Sequence, residues 1–178
     1  EYRYVLAKIK DFAARKAMYN KWIVSSEKYL DLFVPFVKQD LEEGHRTIII
    51  CWTKEQVKQI SERLNAAEIP NTEYHGTSRD FSTEDKVLVA TYSFAGTGFD
   101  YKNLSSLIYA CPLSGKVSLI QTCGRILRKC EGKITPKIRY LVDLTFPQQS
   151  LPEMKRSKFV FEKEFDGHIN IKEVDLCL

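Results

Sequence analysis

Thr47-Ile48-Ile49-Ile50-Cys51 is a run of five β-branched or apolar residues with no polar alternation. It is too short for a stable helix, and a strand with one wet face would place polar residues at every second position. The run therefore predicts a strand covered on both faces of a sheet. Outward from it, Lys54 to Asn65 shows helical period through Val57, Ile60 and Leu64. Thr53 stands at the N-cap position, and Glu55 suits the positive helix end. Strands are predicted again near Thr72 to Tyr74, over Lys86 to Ala90, over Leu104 to Ala110 and over Ile138 to Val142. A polar turn, His75-Gly76-Thr77-Ser78, follows the first of these, and Val117 to Leu127 reads as a helix. Strands alternating with helices at this spacing predict an α/β domain, a central mainly parallel sheet with helices on both faces.

Upstream, Glu1 to about Leu41 reads as helical, with Pro35 breaking the stretch into two helices and Gly44 as a stop. Downstream, Ser150 to Phe161 reads as a helix docking back, and Ile169 to Val174 as an edge strand or extension. There is no internal repeat and no Pro/Gly-rich linker to divide the chain.

The 178 residues are 44% hydrophobic and 28% charged, the balance of a globular domain rather than a disordered chain. Net charge is only +4, but it is unevenly spread. From Pro112 to Tyr140 lie Lys116, Arg125, Arg128, Lys129, Lys133, Lys137 and Arg139 against Glu131 alone, which suits a polyanionic partner. Five cysteines (Cys51, Cys111, Cys123, Cys130, Cys177) include no Cys-x-x-Cys pair. This disfavours a disulfide framework or zinc knuckle, so no metal site is expected, and it favours a reducing intracellular compartment. No apolar run approaches the roughly 18 residues that cross a bilayer. The amphipathic start, EYRYVLAKIKDF, is unlike a secretory leader. The chain begins at Glu1 rather than Met and is read as a fragment with an upstream partner. His45 and His168 have no partners at ligand spacing and are read as incidental.

The most informative segment is Gln121-Thr-Cys-Gly124-Arg125-Ile-Leu-Arg128. On a helix, Gln121, Arg125 and Arg128 fall at i, i+4 and i+7 on one stripe, while Val117, Ile120 and Leu127 point toward the sheet. Two guanidiniums one turn apart repel unless an anion or carboxylate lies between them, and phosphate matches their planar, permanently charged donors. Gly124 inside a helix costs about 1 kcal/mol relative to alanine, which predicts the close approach of another backbone. A bare arginine pair would be an ordinary surface helix; the Gln and Gly in register argue for more. Upstream, Val87-Leu-Val-Ala-Thr91 runs into Tyr-Ser-Phe-Ala-Gly96-Thr97-Gly98-Phe99-Asp100, a buried strand ending in a glycine loop whose N–H groups can approach a phosphate. Glycines chosen for turn geometry alone would look the same.

Gln-x-x-Gly-Arg-x-x-Arg resembles motif VI of superfamily 2 helicases, and the Thr91–Asp100 stretch resembles motif V. Arg46 to Leu64, through Cys51-Trp52-Thr53, resembles motif IV, although any strand–helix unit of scaffold looks similar. Tyr74-His75-Gly76 resembles the turn between motifs IV and V, where His75 is either structural or a phosphate contact. The pieces occur in the family's order over about Arg46 to Asp143. The resemblance implies a RecA-like three-layer domain, the C-terminal motor domain of an ATP-dependent helicase or translocase. By it Arg125 and Arg128 are arginine fingers on the ATP γ-phosphate, with Gln121 coupling nucleotide to strand. Gly98 and Asp100 reach the nucleotide or the coupling network, and Thr91, Gly96, Thr97, His75 and Thr53 lie along the nucleic acid.

The wording FAGTGFDYKNL…QTCGRILRK is similar to phage and large-DNA-virus members, placing the protein in host cytoplasm or nucleus if viral. Gln121-Thr-Cys-Gly-Arg departs from the His-Arg-x-Gly-Arg of DEAD-box enzymes, so DNA is expected rather than RNA, gripped without regard to sequence. The sequence holds no Gly-x-x-x-x-Gly-Lys-[Ser/Thr] loop. Gly115-Lys116 has Ala110 where the first glycine should stand. No Asp-Glu pair follows an apolar strand to hold Mg²⁺. The resemblance assigns ATP and Mg²⁺ mainly to an N-terminal RecA-like domain, so this chain alone should not hydrolyse ATP. The expected division is 1–45 as helical lead-in, 46–146 as core and 147–178 as an extension packing back. The alternative is a non-motor RecA-like module that docks nucleic acid or a protein.

Overall fold

A computed structural model of the chain describes residues 8–75, 85–95, 103–111, 115–128, 131–143 and 147–165. Three helices lead in: α1 (Phe12–Ser25), α2 (Glu27–Leu30) and α3 (Phe33–Glu42). The chain then runs β1 (Thr47–Cys51), α4 (Lys54–Ala66), β2 (Thr72–Tyr74), β3 (Val87–Thr91) and α5 (Tyr92–Ala95). It continues through β4 (Ser106–Tyr109), α6 (Lys116–Ile126), β5 (Lys137–Tyr140) and α7 (Pro147–Phe165). The five strands form one parallel sheet in the order β2-β3-β1-β4-β5. The isoleucine run occupies its centre, buried at every position. Residues 169–174, read as an edge strand or extension, lie outside the described residues, as do Gly76, Thr77 and Ser78 of the polar turn.

The lead-in differs from the expected pair of helices. Pro35 does not break it but sits in the first turn of α3, where a missing N–H forfeits no helical bond. The breaks fall at Ser26, whose backbone is extended, and at Asp31–Leu32. Tyr19, Ile23, Tyr29, Leu30, Phe33 and Val37 carry these helices into the same core as the sheet.

Downstream of β1 the local chemistry is as expected. The Thr53 hydroxyl accepts the Gln56 N–H at 3.1 Å and caps α4, with Glu55 in its first turn. The connection β1–α4–β2 travels one way across the sheet, and β4–α6–β5 travels the other. Right-handed crossovers therefore put α4 and α6 on opposite faces, giving three layers. They also open a crevice outside the carboxyl ends of β1 and β4, where ligands of such sheets bind.

Candidate functional site

Helix α6 leaves the carboxyl end of β4 and returns toward the amino end of β5, so it runs against the strands. Its buried stripe is Leu119, Thr122, Cys123 and Ile126; Ile120 and Leu127 are partly buried against the same core, but Val117 does not face the sheet as expected. Val117 is 66% exposed. The reason is a polar contact inside the core. The Tyr109 hydroxyl, on β4, meets the Thr122 hydroxyl and lies 3.2 Å from Cys123 Sγ, and Thr122 donates to the Ser118 carbonyl at 2.8 Å. With its hydroxyl paired, threonine is stable where composition alone would place an aliphatic residue. Burial pushes the Cys123 thiol up to about 11 and the Tyr109 hydroxyl well above its ordinary range. Neither titrates near neutrality.

On this helix Gln121 is exposed and Arg125 half-buried. Arg125 lines a small crevice with Ile48, Ile50, Leu104 and Leu107, its apolar stem covering the sheet face. Arg128 does not continue the helical stripe. The helix ends at Ile126 with Leu127 as C-cap, so Arg128 stands just beyond it, exposed. Its position is fixed through its backbone. Lys133 donates to the Arg128 carbonyl at 2.9 Å and to that of Ile126, groups that a helix end leaves open. Lys133 therefore orients the segment carrying both arginines, a role no motif spacing could signal.

Among the described residues no other backbone approaches Gly124: nothing lies within 4 Å of a Cβ built there. This overturns the expected close approach. Gly124→Ala is expected to stabilise this chain by about 1 kcal/mol through helix propensity, raising the thermal midpoint by about 2–4 °C for a domain this size. A lower midpoint in a calorimetric scan would show that the space is not open.

The second group stands at the other end of the sheet. Strands β2, β3 and β1 are neighbours, so His75, Thr91 and Thr53 fall along one stretch of the carboxyl edge. Thr91 is buried, its hydroxyl 3.4 Å from that of Ser93. His75 Nε2 lies 3.3 Å from a Glu73 carboxylate oxygen, and the exposed Thr53 is the α4 cap. Gly96, Thr97, Gly98 and Asp100 lie outside the described residues. The Tyr92 hydroxyl, at the start of α5, donates to Ser118 on α6 and ties the segment after Thr91 to the arginine helix. The two groups themselves are not brought together. Helix α6, which runs from the carboxyl edge toward the amino end of β5, is itself about 16 Å long at 1.5 Å per residue.

Sequence reasoning missed one polar centre. Asp40, 0% exposed, accepts from Thr47 Oγ1 at 3.1 Å and Ser106 Oγ at 2.6 Å, and from Arg139 Nη1 at 2.5 Å, with Lys137 Nζ at 3.5 Å. His45, read as incidental, is buried beside it, Nδ1 3.0 Å from Ser105 Oγ and Nε2 3.5 Å from Glu43. Burial lowers the His45 pKa, against the pull of Asp40. Hydrogen bonds from Lys137 and Gln39 lower that of Glu43. Ligand atoms of Asp40, Glu43 and His45 lie within 4.8 Å of one another, but Lys137 and Arg139 already supply the countercharge a cation would bring. The cluster is an ion-pair node and does not fit a metal.

Among the described residues no helix is long and apolar enough to cross a membrane. The sequence profile of the helicase conserved C-terminal domain matches residues 27–130, a span that includes Thr53, His75, Thr91, Gln121, Arg125 and Arg128. The ATP-dependent DNA helicase uvsW of Enterobacteria phage T4 is 35% identical over 57 residues, 32% of this chain and 11% of that protein. The crystal structure of T4 UvsW superposes with a TM-score of 0.65 at 18% identity, over 93% of this chain and 37% of that one. The E. coli DEAD-box protein SrmB, solved bound to the regulator of ribonuclease activity A, gives 0.51 at 24% identity, over 64% and 69% of the two chains. The chain thus spans only a minor part of the phage protein, and both superpositions share its RecA-like fold. The profile match over more than half the residues, together with the motif order, shows that the chain belongs to the helicase conserved C-terminal domain family, the second RecA-like domain of superfamily 2 helicases.

Proposed function

We propose that this chain is the second motor domain of an ATP-dependent helicase or translocase acting on DNA. Residues 46–146 form its core, 1–45 lead in from a first RecA-like domain, and 147–178 pack back on the core. The reading rests chiefly on the two-ended distribution of the candidate residues within the family span. Cationic groups stand at the carboxyl terminus of α6, and hydroxyl and imidazole groups line the carboxyl edge of the sheet. Arg125 and Arg128 present donors to the terminal phosphate of a nucleotide held mainly by the first domain. Gln121 lies between that phosphate and the strand, and Gly98 and Asp100 reach the nucleotide.

The residues present fit one side of a nucleotide. Their guanidiniums match phosphate oxygens, and Gly124 beside Arg125 leaves open space. ATP supplies the phosphoryl group, and Mg²⁺ is assigned with most of the nucleotide to the first domain; the Asp40 cluster already has its countercharge in Lys137 and Arg139. Thr53, His75, Thr91, Gly96 and Thr97 grip a single strand through its phosphates, which carry no sequence information. An intracellular, reducing setting suits the buried free thiols Cys51, Cys111 and Cys123.

The test is single-strand binding by this chain at several salt concentrations. Phosphate gripping predicts similar affinity for oligonucleotides of different sequence, falling linearly on a log–log plot between about 50 and 200 mM salt. A salt-independent affinity would remove the proposed track.

A further inference from the structure

We propose that Trp52 is a stacking platform for a nucleic-acid base, at a point where the strand crosses the mouth of the central crevice. The inference rests on the nucleic-acid reading above and extends it from phosphate contacts to a base contact. Three aromatic side chains are exposed among the described residues: Phe12 on α1, Phe159 on α7 and Trp52, 48% exposed. Trp52 alone lies at the carboxyl edge of the sheet, immediately after β1.

A single exposed aromatic is common and by itself signifies little. Trp52 is distinguished by how it is held. Its backbone N–H donates to Gln56 Oε1 at 2.8 Å, and Gln56, 1% exposed, donates from Nε2 to the Ala110 carbonyl at 2.5 Å. One buried amide therefore spans the carboxyl ends of β1 and β4 and anchors the tryptophan backbone between them. The residue that carries the indole is thereby held through its backbone directly after β1, so less backbone freedom is lost when a flat ligand lies on it. Its neighbours are the exposed Thr53 and Lys54, a hydroxyl donor and a cation suited to the phosphates on either side of a stacked base. Every base has a π-face, so the contact adds affinity without sequence preference. It also needs no ion pair, and so it persists where salt weakens the phosphate contacts.

The experiment uses this chain with Trp22→Phe, which leaves Trp52 as the only tryptophan, and a single-stranded oligothymidylate as probe. Saturable quenching of the remaining emission is expected. Trp52→Ala should weaken binding by about 10-fold, within the range that base stacking supports, and Trp52→Phe should restore most of it. The fold-loss on Trp52→Ala should stay constant as salt rises while the parent affinity falls. The thermal midpoints of the variants should match the parent, since the indole is exposed and the anchoring bonds belong to the backbone and to Gln56. Salt-sensitive binding with equal affinity in Trp52→Ala overturns the stacking proposal and leaves the phosphate track standing. No binding to any single strand overturns both.

Discussion

Arg125→Ala and Arg128→Ala are each expected to lower nucleic-acid-stimulated ATP turnover by about 10³-fold or more, the scale of a lost arginine finger. The protein to assay is one in which this chain is joined to a first motor domain carrying the phosphate loop. The 178 residues alone should show no turnover above background, because the sequence contains no such loop. The size of the loss follows from where a guanidinium acts. It stabilises charge that develops on the transferring phosphoryl group, in a closed cleft where water does not screen it. Lysine is not an adequate replacement, since it offers a point charge in place of two parallel donors, so Arg125→Lys should remain severely impaired. Single-strand affinity should change little in these variants, because α6 runs away from the carboxyl edge where Thr53 and His75 stand, with Arg125 in its last turn and Arg128 just past its end. Wild-type turnover in both alanine variants would remove the finger assignment. Single-strand binding with no turnover in any pairing would favour the docking module instead.

That separation was only partly legible in the sequence. The buried strands were plain because runs such as Thr47–Cys51 and Val87–Thr91 have no alternation to confuse with a helix. The α4 start was plain because an N-cap and its helix are adjacent in sequence. Each of these signals is local. What the sequence misassigned depends on contacts between distant residues. The buried stripe of α6 includes Thr122 and Cys123 because Tyr109, on another element, offers them a hydroxyl. Hydrophobic counting cannot see that partner, and it sent Val117 inward when the residue faces outward. The same counting carried the helix one residue past its end and kept Arg128 on the stripe. The Lys133 contacts that fix that segment have no motif. Gly124 was read as a sign of close backbone approach from its helix penalty alone, but space beside a residue is a property of the fold. His45 was dismissed for want of partners at ligand spacing, yet it lies beside Asp40 and Glu43, close in sequence, as well as Ser105, 60 residues away.

Asp40→Ala is expected to destabilise this chain by about 3–5 kcal/mol, the range for breaking a buried ion pair from one side. Asp40 ends a line of contacts across the amino edge of the sheet. Register pairs Thr47 with Ser106 and Ser106 with Lys137, so these side chains rise from one face toward α3. The Asp40 carboxylate accepts the Thr47 and Ser106 hydroxyls and the Arg139 guanidinium, binding α3 to β1, β4 and β5 at once. Removing it deprives Arg139 and Lys137 of their shared countercharge and leaves two buried hydroxyls without that acceptor, each worth about 1–3 kcal/mol if unsatisfied. Among the described residues Arg139 then keeps its bond to Gln39 Oε1 at 3.0 Å and its place over the Phe36 ring at 5.3 Å. Denaturant unfolding should show the loss as a lower midpoint at an unchanged slope. The double variant Asp40→Ala with Arg139→Met should be more stable than the sum of the single effects, because the stranded charge is then absent. Strict additivity would mean that the two side chains do not act as a pair. A single-variant loss below about 1 kcal/mol would mean that water reaches the site and that α3 is held by its apolar face alone, through Phe33 and Val37.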